Sequence, residues 1–207
     1  MPTPKSTPTP IPRRPMPAAE GRAAPRSARV RPRPIVIAHR GACGYRPEHT
    51  LAAYALAIAQ GADFIEPDLV PTRDGVLVAR HDNELSATTD VAGRGEFADR
   101  RCRKRIDGVD VDGWFTEDFS LAEIRRLRAR ERLPALRPES AREDGLHGVP
   151  TFAEVLALAA AAPRPVGVYP EIKHPTWFAE EGTRLVERFL AEPTHGAGER
   201  LRWRIDL

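Results

Sequence analysis

Cysteine is scarce in this sequence: Cys43 and Cys102 are the only two in 207 residues. Two cannot build a disulfide framework, and whether they pair is left open. No apolar run approaches the roughly 18–20 residues that cross a bilayer, so no membrane span is expected. Residues 1–34 lack hydrophobic periodicity, and ten of them are proline. Too little apolar surface is present there to offset the entropy of ordering it, which predicts a disordered leader. The leader also lacks the apolar stretch of about 7–15 residues that marks a secretory signal, so the compartment stays open.

The formal net charge of +3 is unevenly spread. Residues 1–34 carry eight basic side chains against one acid, a net +7, whereas residues 35–207 carry 24 against 28, a net −4. A polyanion contact through the leader is a minor alternative to an inert extension. No nucleic-acid partner is expected for the mildly acidic body.

From residue 35, short apolar runs alternate with helical segments, which predicts βαβ units and a parallel sheet. The runs are Ile35–Ala38, Phe64–Leu69, Val76–His81 and Val166–Lys173. Thr50 is placed to cap a helix over 51–60 that Gly61 would stop. Further helices are expected over 151–162 and about 178–191, with a shorter one near 121–130. Residues 82–150 interrupt the rhythm and read as an inserted lid subdomain, because a connection of that length is uncommon in a compact domain.

Each of the four runs finishes in ionisable side chains: His39 and Arg40, Glu66 and Asp68, His81, then Glu171 and Lys173. At the C-terminal rim of a parallel α/β barrel such groups would converge in one cup. Glu66 and Asp68 stand two apart on a strand, about 6–7 Å along one face, and repel unless something positive lies between them. A hard divalent cation is the natural partner, with Glu171 as a third oxygen donor. No Cys/His cluster has zinc-ligand spacing. Pro67 between the two acids predicts that the ladder ends there. Arg40 and Lys173 would bring positive charge for a phosphate or sulfate, and His39 and His81 could act as an acid and base pair. The alternative is an ion network in which Arg40 and Lys173 only neutralise the carboxylates.

The stretch IAHRGACGYRPEHTLAAYALAIAQGADFIEPDLVPTRDGVLVARHD, followed by YPEIKHP, resembles the glycerophosphodiester phosphodiesterases, particularly the bacterial periplasmic type. The resemblance implies an α/β TIM (β/α)8 barrel that hydrolyses a glycerophosphodiester to glycerol 3-phosphate and an alcohol. Carried over by position, Glu66, Asp68 and Glu171 would hold the metal, and His39 and His81 would be the general acid and base. Arg40 and Lys173 would neutralise the phosphate, with Glu48 behind them or at the glycerol end. Ca²⁺ is expected ahead of Mg²⁺, although the carboxylates alone do not choose between them. Trp114 and Phe115 are candidate pocket contacts. Similar proteins are often periplasmic.

A complete barrel takes about 250 residues. Residues 35–207 therefore predict a barrel truncated to about its first four βα units, and the closing GERLRWRIDL does not continue the family pattern. An inactive fragment, or a half-barrel completed by a partner, is the alternative to an active enzyme. Such an arc would expose strand edges and an unpaired inner face.

Overall fold

The computed structural model describes residues 33–191. Residues 1–32 of the leader and the closing GERLRWRIDL fall outside the described residues.

The first strand, β1 (Ile37–His39), leads into α1 (Leu51–Ala59). The side chain of Thr50 caps α1 by accepting from Ala53 N at 3.1 Å. After Gly61, in the left-handed region at φ +93°, the chain enters β2 (Phe64–Glu66), β3 (Asp68–Pro71) and β4 (Leu77–Ala79). β1 pairs parallel with β2, as the βαβ reading requires.

β4 does not follow that reading, for it pairs antiparallel with β3, Leu69 opposite Ala79 and Pro71 opposite Leu77. The cause is the turn between them. Thr72 N donates to Val76 O at 2.9 Å, the Thr72 hydroxyl donates to Asp74 Oδ1 at 2.6 Å, and Gly75 takes φ +82°. So few residues can close a hairpin but cannot make a parallel crossover.

Pro67 does not end the ladder. Ile65, Pro67 and Leu69 carbonyls accept in turn from Tyr169, Glu171 and Lys173 amides at 2.9, 2.9 and 3.1 Å. β2 and β3 are thus one long strand with a single missing N–H at Pro67. Its partner is likewise divided, at Tyr169–Pro170, into β7 (Gly167–Val168) and β8 (Glu171–Ile172), both parallel to it. On the opposite edge of the long strand, Arg40 N donates to Glu66 O at 3.1 Å and Arg80 N to Asp68 O at 2.9 Å. β1 and β4 therefore run toward each other along one edge, and their C-terminal ends meet beside Pro67.

Between β4 and β7 lie β5 (Cys102–Ile106) and β6 (Val109–Gly113), α2 (Leu121–Ile124), α3 (Pro138–Ala141) and α4 (Phe152–Ala160). β5 and β6 form a hairpin over Asp107-Gly108, both at positive φ, as two-residue hairpin loops require. α2 stops far short of residue 130. Leu127 N closes a tight turn onto Ile124 O at 3.0 Å, and Ala129 is already extended in a bridge with Thr89. Trp114 and Phe115 are buried, with Trp114 Nε1 donating to Phe97 O at 2.6 Å. They join Leu69, Val70 and Leu77 in one continuous core.

α4 begins with a capping box in which Thr151 and Glu154 satisfy each other's backbone N–H groups. With α1 it covers the outer face of the sheet through Tyr54, Ile58, Phe152 and Val155. The expected last helix is two, α5 (Pro175–Glu180) and α6 (Leu185–Ala191), parted by Gly182 at φ +77°. The described strands form an open arc and no closed barrel. Among the described residues, no helix is long and apolar enough to cross a membrane.

Candidate metal and phosphate site

The meeting of β1 and β4 beside Pro67 gathers the polar strand ends. Glu66 and Asp68 project from the same face because they alternate with Pro67, and the register sets Glu171 opposite Asp68. One carboxylate oxygen from each of the three lies within 4.8 Å of the others. Glu66 and Asp68 are buried, whereas the Glu171 side chain is 54% exposed and faces the open side.

The buried pair is electrostatically unequal. Burial opposes ionisation of Asp68, but His49 and Lys173 overcome it and hold this carboxyl well below its ordinary range. Burial and the Asp68 charge push Glu66 up to about 8. Arg40 N donates to Glu66 Oε2 at 2.8 Å, while Glu66 Oε1 is buried without a hydrogen-bond partner. An orphaned carboxylate oxygen, facing two more carboxylates and an all-oxygen donor set, fits a hard divalent cation.

Arg40 adopts φ +62°, a strained value for a non-glycine residue. Its Nε lies 3.5 Å from Asp68 Oδ2 and its Nη1 3.4 Å from both Glu48 oxygens. Lys173 Nζ reaches Glu171 Oε1 at 2.6 Å and Asp68 Oδ1 at 3.1 Å. Both cations thus border the acidic trio and pair with it. His39 is exposed beside Glu66 and has no polar partner among the described residues. His81 is partly exposed, with Nδ1 2.7 Å from Asp82 Oδ1.

Glu48 is buried under two guanidinium groups. Arg132 holds it with a fork, Nε to Oε2 at 3.0 Å and Nη2 to Oε1 at 2.8 Å, and Arg40 approaches from the other side. Burial opposes its charge, yet the Arg132 hydrogen bonds and charge bring the carboxyl down to about 2.

Sequence reasoning assigns no role to His49, Asp82, Arg132 or Arg80, all of which the structure places here. His49 is fully buried and burial lowers it to about 4, despite Asp68 at 2.9 Å from Nε2. Because a carboxylate only accepts, Nε2 carries the proton. Nδ1 then accepts from the Tyr54 hydroxyl at 2.6 Å. Arg80 is buried and lowered by burial to about 10; its Nη1 donates to Thr88 O at 3.5 Å, while Nε and Nη2 have no hydrogen-bond partner among the described residues. His49 lies inside the PEHT stretch and Asp82 directly follows His81, so both positions were available to inspection; no spacing signals Arg132, fifty residues further on. Cys43 and Cys102 are both free. A cleft of about 370 Å³ opens next to Asp82, bordered by Asn83, Ile106, Val111 and His174.

An α/β sheet arc thus presents three converging carboxylates with flanking arginine, lysine and histidine, a donor set that could hold a divalent cation. The glycerophosphoryl diester phosphodiesterase family model matches residues 39–190, and the chain belongs to that family. It is similar to a glycerophosphodiester phosphodiesterase of Arabidopsis thaliana, 42% identical over 163 residues, covering 76% of this chain and 43% of the relative. A glycerophosphodiester phosphodiesterase of Haemophilus influenzae is 37% identical over 168 residues, covering 75% and 44%. Among solved structures, an Oleispira antarctica phosphodiesterase in complex with the product sn-glycerol-3-phosphate superposes with a TM-score of 0.52 at 28% identity, covering 78% of this chain and 54% of that one. The chain spans about half the length of these relatives.

Proposed function

We propose that this site binds a divalent cation, Ca²⁺ in preference to Mg²⁺, and hydrolyses glycerophosphodiesters to glycerol 3-phosphate and an alcohol. The observation that carries the reading is the buried, unpartnered Glu66 Oε1 within the Glu66, Asp68 and Glu171 cluster. Ca²⁺ suits three carboxylates of unequal burial because it accepts six to eight oxygens in irregular geometry. When bound, the cation polarises the phosphoryl oxygens and lowers the pKa of an attacking hydroxyl.

The side chains supply the rest. Arg40 and Lys173, already beside the carboxylates, would bind and neutralise the phosphate oxygens. His39 and His81 exchange protons with the attacking and leaving oxygens. Glu48 holds Arg40 in register. The cleft beside Asp82 receives the alcohol.

The test is turnover of glycerophosphocholine by the purified chain, read as glycerol 3-phosphate release with Ca²⁺ and then with chelator. Release that stops on chelation is expected; release that ignores chelator overturns the metal assignment. A second reading has the site work only when additional β/α structure covers the sheet. It rests on the exposure of Ile35, Ile37 and Tyr169 around the site's face. Cation binding without turnover would favour it.

A further inference from the structure

We propose that Arg132 is a positioning residue, which holds Asp82 so that Asp82 fixes the ring of His81 for proton transfer; the catalytic part of this proposal rests on the function proposed above. Arg132 belongs to the interrupting segment 82–150 and reaches two acids carried by different parts of the sheet. Its Nε and Nη2 grip Glu48, in the loop between β1 and α1, and its Nη1 donates to Asp82 Oδ2 at 2.8 Å. The other oxygen of Asp82 faces His81 Nδ1 at 2.7 Å. One guanidinium therefore clamps the two chain ends that meet beside Pro67.

The carboxylate of Asp82 can only accept, so His81 must carry its proton on Nδ1, which leaves the Nε2 lone pair for chemistry. A neutral histidine in water prefers the opposite tautomer, so the pairing carries information that solvent would not supply. Asp82 is oriented in turn because Arg132 occupies Oδ2 and leaves Oδ1 toward the ring. Burial opposes ionisation of Asp82, but His81 and Arg132 hold it well below the ordinary carboxylate range.

The clamp is itself anchored. Glu131 N donates to Asp144 Oδ1 at 2.7 Å, and Glu131 Oε1 accepts from Leu133 N at 2.9 Å, a loop that encloses Arg132 from both sides. Arg137 Nη1 then donates to Cys43 O at 3.0 Å and ties the same segment to the loop after β1. A lysine would keep the charge but could not span Glu48 and Asp82 with one planar fork.

The experiment is long-range ¹H–¹⁵N NMR of the full chain labelled at histidine, at about pH 8, above the ordinary histidine range. The His81 signal is assigned by its loss in His81→Gln. The wild type is expected to show the Nδ1–H tautomer, and Asp82→Asn to return the ring to the solvent-preferred Nε2–H mixture. Arg132→Gln and Arg132→Lys are expected to lose the single tautomer, whereas Arg125→Gln, which cuts an exposed pair with Glu154, leaves it unchanged. Where the wild type turns over substrate, both Arg132 variants are expected to lower kcat on the order of ten- to a hundredfold.

An unaltered His81 tautomer in a folded Arg132 variant overturns the proposal, as does an Nε2–H tautomer in the wild type. Should Arg132→Gln fail to fold, Arg132→Lys supplies the same reading. Absence of turnover in the wild type would count against the proposed activity, while the tautomer measurement would still decide the role of Arg132.

Discussion

Glu66 and Glu48 are both buried acids, and their surroundings give them opposite characters. Glu66 faces Asp68 with one oxygen unpartnered, so its charge is a liability until a cation arrives. Glu66→Gln is therefore expected to leave the cation-free protein as stable as the wild type or more so, because the amide has no charge to bury beside Asp68. The same variant is expected to abolish the Ca²⁺-induced rise in Tm, which at a hundredfold excess over Kd corresponds to about 2.7 kcal/mol in the wild type. Calorimetry with and without Ca²⁺ checks both halves. Glu48 is instead lowered to about 2 from an ordinary 4.5 by Arg132, against its burial. A folded-state value below the unfolded one stabilises above the unfolded pKa, and that stability is lost as pH falls from about 4.5 toward 2. Glu48→Gln is expected to remove on the order of 3 kcal/mol at neutral pH and to flatten the acid limb of a denaturation series.

At the scale of elements, tight approaches decide which segments can hold the site. Gly41, at φ +79°, turns the chain out of β1 so closely that a Cβ would meet Ala53 C at 2.8 Å on α1. Gly41→Ala is expected to cost at least about 1–3 kcal/mol through the strained φ, more with the clash, read as a lower midpoint in urea. Helices α1 and α4 were legible because their signals are local: Thr50 and Thr151 cap them, and apolar residues follow at helical spacing. The acids of the long strand were legible for the same reason, since alternation alone puts Glu66 and Asp68 on one face. Direction was not legible. An apolar run such as Val76–Val78 reads alike in a parallel or an antiparallel strand, and only the Thr72–Val76 turn settles it. Beyond α2 the chain is extended where Ala129 bridges Thr89, and Arg132 enters the site through contacts across 84 residues of sequence; no local pattern encodes either.

The described residues share one core, and several of their large apolar side chains are exposed. Ile35 and Ile37 are 68% and 47% exposed, and Tyr169 is 55% exposed on the strand that carries Glu171. An open apolar face next to unpaired strand edges favours association between copies. Ile35→Lys is expected to reduce concentration-dependent light scattering while shifting folding stability by no more than about 0.5 kcal/mol. Scattering that is unchanged by the substitution, or absent from the wild type at high concentration, would show that this face is not adhesive.

The head-on approach of β1 and β4 also has a consequence in time. The amides of Arg40 and Arg80 donate to carbonyls two residues apart on one strand edge, yet they arrive from chain segments forty residues distant. Neither end can lift without uncovering the other's flank, which makes the junction a single unit of local opening. In native-state hydrogen exchange those two amides are expected to share one opening free energy, and a cation bound at the acids beneath them would slow both clocks together.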